Sequence, residues 1–112
     1  MEERISCKSL KVSDIFKTNL ASVYYYTFDT FGYFQAEHYR KKVEDAVDML
    51  PDRYQSYPEC RHIPTKSRMY RNIIMDAHLI IYRITNTCIE VLDIIHAASG
   101  IGKIRDIRKI QL

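Results

Sequence analysis

The chain reads as an α+β domain in which a helical hairpin comes first and an antiparallel sheet last. Three observations predict it. Residues Arg68 to His96 divide into three apolar runs, RMYRNIIM, HLIIYRIT and CIEVLDIIH, separated only by Asp76-Ala77 and Asn86-Thr87. Two-residue gaps between β-rich runs mark tight hairpins, so these runs form a three-stranded meander. Upstream, two stretches place their apolar residues at helical spacing, with a short link around Gly32 between them.

At 112 residues, with 46% hydrophobic and 28% charged residues, the chain has the balance of a single globular domain spanning residues 1–112. Its first element is a strand within Ile5 to Val12. Ser13 is then placed to cap a helix, and Asp14 lies in the first turn, where the helix dipole favours an acid. Phe16, Leu20, Val23, Tyr24, Phe28 and Phe31 follow at helical spacing, and Gly32 ends the run. The triplet Tyr24-Tyr25-Tyr26 favours a strand by propensity, but the longer periodicity outweighs it. A second helix fits Phe34 to Leu50. Ala36, Tyr39, Val43, Ala46, Val47 and Leu50 form its apolar stripe, and Pro51 stops it. The short link makes the two helices an antiparallel hairpin. Residues 51–67, with Pro51, Pro58 and Pro64, read as an ordered loop that crosses to the sheet.

Turn geometry sets the pairing of the strands. A two-residue turn at Asn86-Thr87 places Arg83 opposite Glu90, and one at Asp76-Ala77 places Arg71 opposite Tyr82. A salt bridge to Glu90 is therefore the first expectation for Arg83. Strict alternation puts Met69, Ile73, Ile80, Ile84, Ile89, Val91 and Ile95 on one face. Ile74, Leu79, Ile81, Leu92 and Ile94 fall on the other. Both faces are apolar and both need cover, while the helical hairpin reaches only one. Ile101, Ile104, Ile107 and Ile110 recur every third residue, so the C-terminal segment supplies part of the second cover. What it leaves open is a surface for peptide docking.

Chemistry is sparse. The chain has no GxSxG, P-loop, HExxH or GxGxxG pattern, and His38, His62, His78 and His96 lack metal-ligand spacing, so neither cofactor nor metal is expected. His96 ends an apolar strand just before Ala97-Ala98-Ser99-Gly100, a place where functional histidines occur, though a lone histidine is more often structural. Cys7, Cys60 and Cys88 are odd in number and widely spaced, which favours reduced thiols. The start MEERISCK is not a signal peptide and no 18-residue apolar run occurs, so a soluble cytoplasmic protein without membrane contact is expected. A net charge of +3 permits an anionic partner without requiring one, and the basic clusters near Arg61–Arg71 and Lys103–Lys109 read first as solvated rims.

An ordered set of short pieces resembles the RelE/ParE superfamily of type II toxin–antitoxin toxins, on its ParE-like branch. The pieces are Ser13 with Leu20, Val23 and Tyr26, then Phe31-Gly32, the helix of Ala36, and Leu50-Pro51. Tyr70-Arg71, Tyr82-Arg83-Ile84, Glu90-Val91-Leu92 and His96 continue the series, and the resemblance covers about residues 10 to 105. It implies a compact toxin whose helical hairpin packs on the sheet and whose apolar groove receives a cognate antitoxin. Leu79, Ile81, Leu92 and Ile94 are the expected antitoxin-binding residues.

The superfamily divides by activity. RelE-like members cut messenger RNA on the ribosome, using basic residues with a histidine or tyrosine near the C-terminus. His96, Arg71, Arg83 and Tyr82 are the candidate catalytic residues on that alternative. ParE-like members instead inhibit DNA gyrase by binding. Here Leu79, Ile73 and Ile74 stand where the nucleases carry cations, and Ala97-Ala98-Ser99-Gly100 replaces their terminal basic cluster. The resemblance therefore implies a growth-inhibiting toxin that binds a target, DNA gyrase, with no assigned catalytic residue and an antitoxin as its neutralising partner.

Overall fold

The computed structural model describes residues 8–112. The expected first strand is therefore seen only in its second half, as β1 (Ser9–Val12), and residues 5–7 lie outside the described part. Two long helices follow, α1 (Asp14–Phe31) and α2 (Tyr33–Asp48), then a single turn, α3 (Leu50–Arg53). The three remaining strands are β2 (Tyr70–Ile74), β3 (His78–Ile84) and β4 (Cys88–His96). A short helix α4 (Ile101–Asp106) and a 3₁₀ turn (Ile107–Lys109) close the chain.

Helix boundaries follow local chemistry. Ser13 is extended, and its Oγ accepts a hydrogen bond from the Phe16 amide at 2.9 Å, which satisfies one of the free N–H groups of the first turn. The same hydroxyl donates to the Leu92 carbonyl at 2.6 Å, and the Ser13 amide donates to Val91 at 2.9 Å. The cap thus anchors α1 directly to β4. At the other end Gly32 alone joins the two helices, with φ of 93°, a conformation costly for any residue with a Cβ. Nothing lies within 4 Å of a Cβ built there, so the backbone and not crowding requires glycine. The second helix ends at Asp48, earlier than expected. Pro51 does not terminate it but sits in the first turn of α3, where its missing N–H costs nothing.

The sheet has the order β1-β4-β3-β2. Its last three strands pair antiparallel in sequence order, as a meander. β1 adds to the far side of β4 in parallel, with Val12 beside Val91. The expected pairings hold, since Arg71 lies opposite Tyr82 and Arg83 opposite Glu90. Beyond them the register slips. Tyr82 pairs with Val91, but Ile81 pairs with Asp93, so Leu92 is an extra residue in a β-bulge. A one-residue slip exchanges the faces of everything after it. Ile94 accordingly packs in the helix-side core and Ile95 on the opposite face, the reverse of strict alternation.

Each face has its own core. On the helix side Phe16, Val43, Val47 and Leu50 meet Ile73, Ile80, Tyr82, Ile89, Val91 and Ile94. On the other face Cys60, Ile63, Ile104 and Ile107 cover Tyr70, Ile81, Leu92 and Ile95. The second cover is made by the chain itself, from the 54–69 loop and the C-terminal segment. That loop also runs beside the outer edge of β2, through Asn72 N–H to Pro58 at 3.1 Å and Cys60 N–H to Tyr70 at 2.8 Å, so this edge is not left bare. Among the described residues, Cys60 and Cys88 are buried free thiols.

Candidate functional site

The four residues expected to serve a nuclease do not converge. Arg83 sits near the β3–β4 turn, and its Nε donates to Glu90 Oε1 at 2.7 Å. The guanidinium also donates to the carbonyls of Ile110 at 3.0 Å and Arg108 at 3.4 Å. It clamps the C-terminal segment against the sheet. Tyr82 is fully buried, and its hydroxyl donates to the Tyr54 carbonyl at 2.6 Å. Burial holds its phenol well above the ordinary range, so it stays protonated. Arg71 donates to three carbonyls, those of Arg68 at 2.8 Å, Gln55 at 3.2 Å and Tyr57 at 2.9 Å, and so fixes the incoming loop.

His96 stands at the other end of the sheet. It pairs with His78 in the ladder, whereas Arg83 pairs with Glu90 five residues further along β3. At about 3.3 Å per residue that separation is roughly 16 Å. His96 is exposed, and its Nδ1 accepts from the Ala98 amide at 3.0 Å. Its ring meets that of His78 edge-on, with centroids 5.7 Å apart. The Nδ1 of His78 in turn lies 2.9 Å from the Tyr39 hydroxyl of α2. Burial pushes the His78 imidazole below its ordinary range, and the neighbouring His96 adds to the effect. Tyr39 is raised, first by burial and then by the Asp76 carboxylate. This end therefore gathers Tyr39, His78 and His96, with Lys42 and Asp76 facing each other at 3.5 Å on its rim. Among the described residues, no three His, Cys, Asp or Glu side chains gather to hold a metal ion.

The expected docking face needs correction. Ile81 and Leu92 are completely buried and Ile94 is 2% exposed. The physical reasons are the bulge, which turns Ile94 to the helix side, and the cover over Ile81 and Leu92 supplied by Ile104, Ile107 and Ile63. Only Leu79 of the four remains half-exposed. It opens onto a groove of about 400 Å³, bounded by Ile74, Ala97, Ile104 and Arg61. Ile74 is 71% exposed. Beside the groove Arg105 reaches back to the His62 carbonyl at 3.4 Å, so the rim carries Arg61 and Arg105 with Glu59 as the acid among the lining residues.

A second apolar surface lies at the far end of the hairpin. Phe28 and Phe31, expected in the buried stripe of α1, are 43% and 67% exposed, and Tyr25, Tyr33 and Phe34 are exposed beside them. The sequence does hold the signal. Residues 23–36 contain seven aromatic residues, more than one stripe of a helix can bury.

The family model of the ParE toxin of the type II toxin–antitoxin system parDE matches residues 10–100. The chain belongs to the ParE toxin family. No curated protein matches it in sequence. Among solved structures it is similar to a chain of the chromosomal ParDE toxin–antitoxin system from P. aeruginosa, with a TM-score of 0.66 and 16% identity. The likeness covers 80% of this chain and 96% of that one. At this identity the likeness speaks for the fold: the hairpin, the meander and the parallel N-terminal strand form a ParE-like domain.

Proposed function

We propose that the chain is a toxin that inhibits growth by binding DNA gyrase in the cytoplasm, and that a cognate antitoxin neutralises it by docking at the groove of Leu79 and Ile74. One observation carries the binding reading. The cations and phenol that a phosphodiester cleavage would need are spent on structure, Arg83 on Glu90 and the C-terminal carbonyls, Arg71 on loop carbonyls and Tyr82 on Tyr54. A general acid or base must reach the proton it moves, and His96 stands beside His78 at the other end of the sheet, away from Arg71, Tyr82 and Arg83. The groove favours a partner segment with an apolar anchor, because Ile74 and Leu79 line it, and Arg61 and Glu59 in the same lining offer polar partners to either side of that anchor.

The test measures gyrase supercoiling and cleavage of ribosome-bound message with the purified chain. Inhibition of supercoiling without message cleavage is expected, unchanged in His96→Ala. A wild-type chain that cuts message, with cleavage reduced about 10²–10⁴-fold in His96→Ala, would replace this reading with the endoribonuclease. Adding the antitoxin locates its dock. Ile74→Asp should keep gyrase inhibition and lose rescue by antitoxin, whereas full rescue of that variant moves the dock elsewhere.

A further inference from the structure

The hairpin's part in the core stops at Val23 on α1 and resumes at Tyr39 on α2. Of the fifteen residues between them only Thr27 and Ala36 are buried. Tyr25 and Tyr26 are each 66% exposed, Phe31 67% and Phe34 86%. The surface is chemically distinct from the groove of Leu79 and Ile74, whose lining carries Arg61, His62 and Glu59.

We propose that the hairpin end docks a second copy of the chain, hairpin to hairpin about a two-fold axis. The first support is area. At about 200 Å² per aromatic side chain, the exposed fractions of Tyr25, Phe28, Phe31, Tyr33 and Phe34 amount to roughly 600 Å². Flanking Thr30 and Gln35, both exposed, bring the surface toward the roughly 800 Å² per partner that a stable interface buries.

Charge is the second support. Residues 23–36 hold a single charge, Asp29, in a chain that is 28% charged. Just behind, Glu37 is neutralised by Arg40 and accepts a hydrogen bond from the Tyr24 hydroxyl at 2.6 Å. A strongly charged partner finds almost nothing to pair with here. A neutral aromatic patch meets its own copy with little like-charge repulsion, as an isologous contact requires. Its rings already adopt the packing such a contact uses, Tyr24 edge-on to Tyr25 at 5.8 Å and Tyr33 edge-on to Phe34 at 5.5 Å.

Sedimentation of the full chain tests this, and the outcome is independent of the toxin reading. Between about 1 and 100 µM the wild-type mass should rise from 13.3 kDa toward twice that value. Phe34→Glu and Tyr25→Glu should each raise the dimer dissociation constant at least about 30-fold. Both side chains are exposed, so circular dichroism and thermal unfolding of the variants should match wild type. If one variant misfolds, the other and the wild-type concentration series still decide. A wild type that stays at 13.3 kDa throughout, or variants that dimerise like wild type, overturns the proposal. So does a monomeric wild type whose Phe34→Glu variant loses antitoxin or gyrase binding, since the hairpin end would then serve that other protein.

Discussion

The two faces of the sheet are covered in different ways. On one, two long helices joined through Gly32 lay Phe16, Val43 and Val47 into the core, and the cover is continuous secondary structure anchored at Ser13. On the other, a loop and a segment of short helix and 3₁₀ turn lay Cys60, Ile63, Ile104 and Ile107 onto Ile81 and Leu92. The first cover brings its own backbone hydrogen bonds. The second depends heavily on side chains that capture loose carbonyls, Arg71 for the loop and Arg83 for the C-terminal segment. The two lids thus differ in their dependence on single residues. The face with the weaker lid is also the one beside the proposed antitoxin groove.

Arg83→Ala breaks this asymmetry most severely. The Arg83 and Glu90 side chains are 11% and 15% exposed, so removing the cation strands a carboxylate in a nearly dry site and frees the carbonyls of Arg108 and Ile110. The expected loss is about 3–5 kcal/mol, which lowers Tm by on the order of 10 °C or more. Hydrogen exchange should show residues 101–110 opening before the sheet. Arg40→Ala is the contrast, because its pairs with Glu37 and Glu44 lie on the surface of α2, and its loss should leave thermal unfolding close to wild type. If residues 101–110 stay as protected as in wild type, Arg83 is not what holds the second lid.

Elements set by local chemistry were legible in the sequence. Ser13, Gly32 and the two-residue turns each act through a few neighbouring backbone groups, and the helices and the meander follow from them. The Arg83–Glu90 pair was readable for the same reason, since it lies inside the register that one turn fixes. Leu92 marks where local reasoning ends. Nothing in CIEVLDIIH distinguishes a bulge from regular alternation, because the slip is stabilised across the sheet by Ser13, which donates to the Leu92 carbonyl 79 positions away. That non-local bond moved Ile94 out of the expected docking face. Exposure of the hairpin end escapes the sequence for the opposite reason: periodicity shows which residues share a stripe but not how far along the helix the sheet extends beneath it.

Ser13→Ala tests the stronger cover. It removes the cap of α1 and one of that helix's side-chain links to the bulge, the other being Asn19, which donates to Asp93 at 2.7 Å. The expected destabilisation is about 1–2 kcal/mol by chemical denaturation, smaller than that of Arg83→Ala, because the Ser13 amide still donates to Val91 and the helix can fray without exposing the core. A larger loss than Arg83→Ala would reverse the ranking of the two lids.

The smallest effect expected is a pH dependence at the sheet end farthest from Arg83. His78 joins β3 to α2 through Tyr39 and faces His96, with Asp76 and Lys42 beside it. Its folded imidazole is pushed below the ordinary value of 6.5, chiefly by burial, so the unfolded chain binds its proton more readily than the folded one. The sign follows from that difference. The contribution is fully present above the unfolded value and is lost as pH falls through 6.5 toward the depressed folded value. Stability measured by urea midpoint should therefore decline between about pH 7 and pH 5, and His78→Gln should flatten that slope. An unchanged slope in His78→Gln would assign the acid sensitivity to other groups and leave the Tyr39–His78 contact as packing alone.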